Sequence, residues 1–509
     1  MVLGDIVRRN ARRYPRKLGL VFGAVRLSFD ELNQRVNSLA NALMGLGVVE
    51  GDRVAILLDN CHQYIELYFA IPEAGGIAVP LNTALTQQEM VHILDNAQAN
   101  TLVFMDKYAD VVSSMRSQLN SVKNFVTVGA PAAGAKGYDE LITRYPSTEP
   151  DVKVNEEDVA YILYTSGTTG LPKGVMITHR GMIGSALDYT LGSRLRLGDI
   201  TLVTTPLLWT ATVFVSIVPH FYLSDTIVIA GEFSPKAVLN IIQEERITTG
   251  FMAPSQIIAL LQYPELRNYD TSSLRHVWFG GGPMPVETLK QAITAFGNIF
   301  FQLYGLMELS PVALMPPEEQ VIEGPPEKLK RLASCGKETY SVEVRIVDDE
   351  GRDVLPGQVG EVIAKGDYLM KGYWQMPRAT EEALKDGYLH TGDMGTMDED
   401  GYIYLVGRKK DLIVSGGRNI YPVEIEEVLC QHPSVLEAAV VGQPDKELGE
   451  SIKAVVAVKE AERVTGKDII QFCRQRLPEY AVPETVVFID RLPRNPGGKV
   501  LKRVLREKY

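Results

Sequence analysis

The chain has 509 residues, 45% of them hydrophobic and 23% charged. That is the balance of a globular protein long enough for more than one domain. Its formal net charge of −11 argues against nucleic acid as the main partner, because gripping a phosphate backbone calls for a basic surface. Cys61, Cys335, Cys430 and Cys473 are scattered without a C-x-x-C pair, so neither a thiol zinc site nor a disulfide framework is expected, and reduced thiols in a cytoplasmic protein are.

The first residues, Met1 to Pro15, carry charges throughout and have no apolar core, so they do not read as a secretory signal. Ser28-Phe-Asp-Glu31 has the spacing of a capping box. Leu32, Val36, Leu39, Ala40 and Leu43 follow at helical intervals, and Gly45 and Gly47 end the run. Arg53–Leu58 reads as a buried strand, the stretch near Gln63–Ala74 as a helix, and Ile77–Leu81 as a strand. Thr86-Gln-Gln-Glu89 caps another helix before the strand Thr101–Met105. Strand and helix alternating in this way predict parallel sheet built from βαβ units, an α/β fold with doubly wound sheets.

A strand-like run, Val159–Tyr164, leads into Thr165-Ser166-Gly167-Thr168-Thr169-Gly170-Leu171-Pro172-Lys173-Gly174, and the apolar Val175–Thr178 leads out. Glycines let backbone N–H groups approach a ligand closely, and successive N–H groups make an anion-binding concavity. Hydroxyls add donors and Lys173 adds a charge, so the stretch reads as a cradle for a polyphosphate. It is not a P-loop: Pro172 stands before the lysine and Gly174 follows it, where that motif needs Gly and Ser or Thr. His179-Arg180-Gly181 likewise lacks the aspartate of a kinase catalytic loop.

Thr201 to Ser224 contains no Asp, Glu, Lys or Arg. A membrane span needs about 20 apolar residues, but Pro206, Pro219, His220 and several hydroxyls interrupt this run. A buried wall of the core or of an apolar ligand pocket is expected instead, with Trp209 and Val213 on it and Phe279 as a further pocket residue.

The alternation resumes with a Ser234-capped helix starting at Pro235 and the strand Thr249–Ala253. Leu274–Phe279 is a strand ending in Gly280-Gly281-Gly282-Pro283. Helix Val286–Phe296 leads to the strand Asn298–Tyr304. From Val342 short strands, Val342–Val347, Val359–Ala364 and Tyr402–Val406, alternate with Asp-, Gly- and Pro-rich turns, which suggests a small β-barrel or β-subdomain. After Arg408 a compact α+β module is expected: helices Val423–Cys430 and Lys467–Leu477, and strands Glu437–Val441, Lys453–Val458 and Thr485–Ile489.

In a doubly wound sheet, ligands sit beyond the carboxyl ends of the strands. The groups at such ends are Gly280–Pro283, Tyr304-Gly305-Leu306-Met307-Glu308, His390-Thr391-Gly392-Asp393, Gly407-Arg408-Lys409-Lys410-Asp411, Ser415-Gly416-Gly417 and Gly497-Gly498-Lys499. In order and spacing these motifs resemble the adenylate-forming superfamily, which holds acyl-CoA synthetases, amino-acid adenylation domains and firefly-type luciferases. The resemblance runs from about residue 10 to the last residues.

The resemblance implies a large domain over residues 1–408 and a smaller, mobile C-terminal domain over 409–509 with its hinge at Lys410. It implies ATP gripped by Thr165, Ser166, Gly167, Thr168, Thr169, Gly170 and Lys173, adenine against Gly281, Gly282, Pro283, Tyr304 and Gly305, and ribose on Asp393 and Arg408. Mg²⁺ falls to Glu308, and Lys499 is the catalytic lysine that acts with Glu308 and Lys173. Gly416 and Gly417 line a tunnel for the pantetheine of CoA. The implied activity is an ATP-dependent acyl-CoA ligase for an apolar carboxylic acid, a fatty acid first and an aryl acid second. No transmembrane span is implied; peripheral membrane contact stays open, and a homodimer is the default assembly.

Three positions depart from the pattern. Met307 stands where a threonine usually precedes the metal-binding glutamate, Trp209 stands in place of a gating histidine, and Asn495 replaces a threonine. An amino-acid adenylation domain is the first rival, but Val213-Phe-Val-Ser216 offers no aspartate for a substrate ammonium. A nucleotide-binding homologue with impaired catalysis is the second.

Overall fold

The computed structural model describes residues 1–165, 172–282, 284–459, 464–494 and 500–509. Ser166, Gly167, Thr168, Thr169, Gly170, Pro283, Asn495 and Lys499 lie outside the described residues. The chain divides into two compact units. The first takes Met1–Thr165, Pro172–Glu343 and Lys365–Leu389, and the second takes Val344–Ala364 and His390–Tyr509.

The first unit is built on two large sheets. In the nine-stranded sheet Leu18–Phe22, Thr226–Ile229, Ile200–Val203, Thr249–Met252, His276–Gly280 and Phe300–Tyr304 lie parallel and adjacent in that order. Antiparallel strands flank them, Val25–Ser28 on one side and Ala313–Met315 on the other. The eight-stranded sheet has Ile77–Pro80, Arg53–Leu57 and Ala99–Met105 parallel near its centre. Toward one edge it turns antiparallel, through Val159–Tyr164 and Gly174–Thr178 to Gly372–Tyr373. This is the doubly wound arrangement, with strands buried between helical layers and reading as continuous apolar runs.

Local signals fix where the helices start. Ser28 accepts from the Glu31 N–H while Glu31 accepts from the Ser28 N–H, so Phe29–Gly45 begins in a complete capping box. Thr86 and Glu89 repeat the device at Gln87–Ala97, and Ser234 caps Pro235–Glu244. The strand expected from Leu274 begins at His276, because the Leu274 N–H turns back to Thr271 O at 3.0 Å. The strand expected from Asn298 begins at Phe300, after Gly297 takes a φ of +90°, a conformation open to glycine.

The uncharged segment resolves into three pieces: the strand Ile200–Val203, the π-helix Thr212–Ile217 and the helix Val218–Tyr222. Its π-helical residues are all buried. Among the described residues no helix is long and apolar enough to cross a membrane.

The second unit holds most of Gly360–Gly366 and Tyr388–Met397 and all of Ile403–Arg408 in a short-stranded sheet, and then the α+β module. In that module Val435–Asp445 and Gly449–Val458 form one long antiparallel hairpin. Both strands are longer than the expected Glu437–Val441 and Lys453–Val458. The turn comes later, where the Asp445 carboxylate accepts from the Glu447 and Leu448 N–H groups. Ile425, Leu429, Val440, Ile452 and Ile469 form its core with the helices Pro422–Cys430 and Gly466–Arg474.

Candidate active site

The site grows from the carboxyl ends of two neighbouring parallel strands. In His276–Gly280 the last residue must be glycine, because a Cβ there would sit 2.4 Å from Leu303 O. Gly281 follows at φ +76°, and a Cβ on Gly281 or Gly282 would meet nothing. The strand therefore ends in bare backbone facing open space. The neighbouring strand Phe300–Tyr304 runs into the turn Gly305–Leu309, closed by Leu306 N–H to Leu309 O at 2.9 Å.

That turn is tied down from several sides. Met370 N–H donates to Glu308 O at 2.9 Å, and Ser185 Oγ donates to Ser310 O at 2.5 Å. The Tyr368 hydroxyl lies 2.7 Å from Pro311 O and 2.6 Å from Asp188 Oδ2. Asp188, buried to 1% exposure, also accepts from the N–H groups of Tyr340 and Ser341. A loop whose backbone is held at four consecutive carbonyls, Glu308 to Pro311, presents its Glu308 side chain in one place.

Glu308 is half-buried, and the Tyr373 hydroxyl donates to its Oε1 at 2.7 Å. Burial, and then the Glu308 charge, push the Tyr373 phenol well above its ordinary range, so it remains a donor. Tyr373 reaches this position from the other sheet. Gly372–Tyr373 pairs with Met176 and Val175, and Trp374 N–H donates to Gly174 O at 2.7 Å. The same pairing sets the Tyr373 ring beside Lys173, whose Nζ is 4.7 Å from the ring centroid. Lys173 and Thr165 close on each other: Thr165 N–H donates to Lys173 O at 2.9 Å, and Lys173 N–H to Thr165 Oγ1 at 3.2 Å. Tyr373 is thus the hub between Lys173 and Glu308.

The turn before the π-helix is also clamped. Asn60 Oδ1 accepts from Leu207 N–H at 2.8 Å, Asn60 Nδ2 donates to Thr205 O at 3.0 Å, and Tyr68 OH donates to Leu207 O at 2.8 Å. Half-buried Trp209 sits at the end of this turn, its N–H on Pro206 O. Val213, at 1% exposure, is inside the π-helix. Phe279 goes elsewhere. It packs into the core with Val277, Met252, Ile257 and Phe300, whereas its neighbour Trp278 faces the π-helix residue Val215. Successive strand residues point to opposite faces, so Phe279 is not brought to the π-helix side.

In the second unit Asp393 and Arg408 lie opposite each other across an antiparallel pair, with Arg408 Nε 2.6 Å from Asp393 Oδ1. Lys410 follows in the short turn Lys409–Asp411, and burial is the main cause of its lowered pKa. Gly416 and Gly417 have φ of +56° and +75°. Gly416 borders a groove of about 760 Å³, lined also by Arg418, Leu448, Tyr480 and Pro483. The Arg418 guanidinium lies 4.7 Å from the Tyr480 ring centroid.

Tyr373, Asp188, Tyr368 and Asn60 are absent from the sequence reading. The run Gly372-Tyr373-Trp374 was the available signal, two aromatics after a glycine. No group of three or more His, Cys, Asp or Glu that could cage a metal occurs among the described residues. Glu308 alone fits a Mg²⁺ carried mostly by phosphate oxygens, the usual mode for that ion: Tyr373 takes Oε1, and no described group donates to Oε2.

Comparisons with known proteins identify the family. Residues 7–374 match the model of the AMP-binding enzyme family, and residues 424–499 match that of the AMP-binding enzyme C-terminal domain. The chain is 36% identical over 507 residues to a feruloyl-CoA synthase of Amycolatopsis sp, covering 100% of this chain and 99% of that one. It is 34% identical over 513 residues to a long-chain-fatty-acid–CoA ligase of Mycobacterium tuberculosis, covering 100% and 98%. The crystal structure of ATP-bound MatB from Rhodopseudomonas palustris superposes with a TM-score of 0.90 at 28% identity, covering 100% and 99% of the two chains. The chain therefore belongs to the AMP-binding enzyme family, as an ATP-dependent, AMP-forming acid–thiol ligase of the acyl-CoA synthetase kind.

Proposed function

We propose that this enzyme activates an uncharged, apolar carboxylic acid as its acyl-AMP and then transfers the acyl group to CoA. The observation that carries the reading is the Lys173–Tyr373–Glu308 cluster, whose Glu308 turn follows the strand paired with the one that ends in the open backbone of Gly281 and Gly282. A cation, a neutral donor and a carboxylate with one oxygen to spare suit a triphosphate with its metal, and bare backbone suits a flat base.

In this reading the acid's carboxylate oxygen bonds to the α-phosphorus of ATP, and the bond from that phosphorus to the bridging oxygen of pyrophosphate breaks. Two anions must first meet. Lys173 stabilises the charge that develops on the departing pyrophosphate, together with Thr165 and the stretch Ser166–Gly170. Lys499 offsets the repulsion between carboxylate and α-phosphate. When bound, Mg²⁺ would supply further neutralisation of the phosphate charge; Glu308 would hold it, with Tyr373 fixing the orientation of the carboxylate. Tyr304 and Gly305 with Gly281–Pro283 take the adenine, and Asp393 with Arg408 takes the ribose hydroxyls. Lys410 is the hinge residue, and Gly416 and Gly417 flank the path of the pantetheine thiol. The uncharged wall from Thr201 to Ser224, with Trp209 at its turn, faces the acyl group.

The test is release of AMP and pyrophosphate across a panel of carboxylic acids, with and without CoA. An apolar acid should give pyrophosphate without CoA and thioester with it. Exchange of isotope from pyrophosphate into ATP should collapse in Lys499→Ala, and undiminished exchange would sink the adenylation step.

A further inference from the structure

In the proposed cycle the C-terminal module turns about Lys410, first to bring Lys499 to the α-phosphate and then to bring Gly416 and Gly417 to the thiol. A hinge concentrates its φ and ψ change in a few residues, and it can do so only if the chain on either side is fastened to its own body. Both flanks of Lys410 are fastened. On the near side Arg408 Nε lies 2.6 Å from Asp393 Oδ1. Lys409 Nζ lies 2.9 Å from Asp349 Oδ1 and 3.3 Å from Glu361 Oε2, and Glu361 Oε1 accepts from Gly392 N–H at 3.2 Å. The chain up to Lys409 is thereby held to the strands Gly360–Gly366 and Tyr388–Met397.

On the far side Asp411 Oδ1 accepts from Arg506 Nη2 at 2.9 Å, across 95 residues of chain. Arg506 stands on the helix Lys502–Lys508, which is seated firmly in the module. Its fully buried Leu505 packs with Ala439, Val441, Val455 and Leu492, and Lys502 Nζ lies 2.7 Å from Glu426 Oε1. Val500, the residue after Lys499, packs against the same cluster and pairs with Arg494. Leu501 N–H donates to Pro493 O at 2.8 Å.

The two working parts of the module therefore reach the hinge by different routes. Gly416 is joined to Asp411 by a short length of chain through the strand Ile413–Ser415. The segment behind Lys499 is distant in the chain and meets the hinge turn through the side chain of Arg506. That side chain is 33% exposed, and an ion pair so placed adds little to stability. What it fixes is geometry.

We propose that Arg506, acting through Asp411, is a positioning residue for Lys499. It makes the hinge turn and the helix behind the lysine move as one piece, so that rotation at Lys410 delivers the amine to the α-phosphate. The proposal rests on the ligase reading above and deepens it: adenylation requires this pair and thioester formation does not.

The two half-reactions test it, with whichever acid of the panel is turned over best. Adenylation is followed as pyrophosphate release in a single turnover without CoA, and thioester formation as the reaction of supplied acyl-AMP with CoA. In Arg506→Gln adenylation should slow by about 10- to 100-fold, the scale of a catalytic group displaced by about 1 Å, while thioester formation stays within about twofold. The Tm should hardly move. Asp411→Asn breaks the same pair from the other side, should show the same split, and carries the test if Arg506→Gln fails to fold. The two changes together should lose no more than either alone, because they remove one shared interaction. Native adenylation in these variants overturns the proposal, and so does an equal loss in both half-reactions or an additive loss in the combined variant. Lys499→Ala separates this inference from the reading beneath it. Undiminished adenylation there overturns both; adenylation that collapses in Lys499→Ala but not in Arg506→Gln or Asp411→Asn overturns this inference alone.

Discussion

Glu308 and Asp393 are both acidic residues of the expected motifs, but Glu308 stands in a turn at a strand end whereas Asp393, expected in a turn, lies inside the strand Tyr388–Met397, and their partners differ. Glu308 accepts from a neutral phenol, that of Tyr373, at Oε1, and no described group donates to its Oε2. Asp393 meets a guanidinium at 2.6 Å, and its side chain is only 9% exposed. A charge-assisted pair of that length largely neutralises both members. The contrast teaches that a carboxylate's use follows from what already occupies it. A free oxygen with unspent charge suits a metal–phosphate assembly, whereas a neutralised pair suits uncharged hydroxyls, to which it offers acceptor and donor side by side.

The sharpest way to break the comparison is to remove the unspent charge. Glu308→Gln keeps the shape and the bond from Tyr373 but loses the anion. We expect kcat/KM for adenylation to fall by about 10²–10³, the scale of a lost transition-state electrostatic contact, with Tm little changed. Asp393→Ala should fall less and in a different way. It should raise KM for ATP about 10- to 100-fold, the worth of hydrogen bonds to a charged group, while kcat moves less, because ribose contacts are made equally in the ground and transition states. If Glu308→Gln altered only KM for ATP, or Asp393→Ala altered the metal requirement, the two roles would have to be exchanged.

Tyr373→Phe probes the hub. It leaves the ring beside Lys173 and deletes one hydrogen bond, worth about 1 kcal/mol. The half-saturating Mg²⁺ concentration should rise about fivefold, with kcat at saturating metal nearly retained. An unchanged metal titration would show that Glu308 needs no orientation from Tyr373.

How much of this was legible in the sequence depended on how far apart the partners stand. Glu308 was legible because Tyr304 to Glu308 is one unbroken string at the end of an apolar strand. Tyr373 was not. It stands 65 residues from Glu308 on an edge strand of two residues, too short for any periodicity to register. Asn60 stands 147 residues from the turn it clamps. Asp393 and Arg408 were legible as members of motifs, but their pairing depends on a hairpin register that shifts between Met394 and Gly395. The π-helix was illegible for another reason. Thr201–Ser224 carries no charge on any side, and a segment buried nearly all round carries no stripe from which to read its pitch.

The smallest predicted effect concerns Met307, beside Glu308. Its loop is fixed without help from the side chain, through Leu306 N–H on Leu309 O and Met370 N–H on Glu308 O. A substitution at this half-buried position therefore tests chemistry more than folding. A thioether has no strong donor, and a threonine hydroxyl does. Met307→Thr should raise kcat/KM for ATP about fivefold, one hydrogen bond's worth of about 1 kcal/mol. Because residues 307 and 308 are adjacent on one turn, the gain should shrink when Glu308→Gln is present as well, the non-additivity of neighbours that share a ligand. A gain of full size in the double variant would mean that the new hydroxyl acts away from the phosphates. Equal or worse ATP kinetics in the single variant would mean that methionine at 307 leaves no contact unmade.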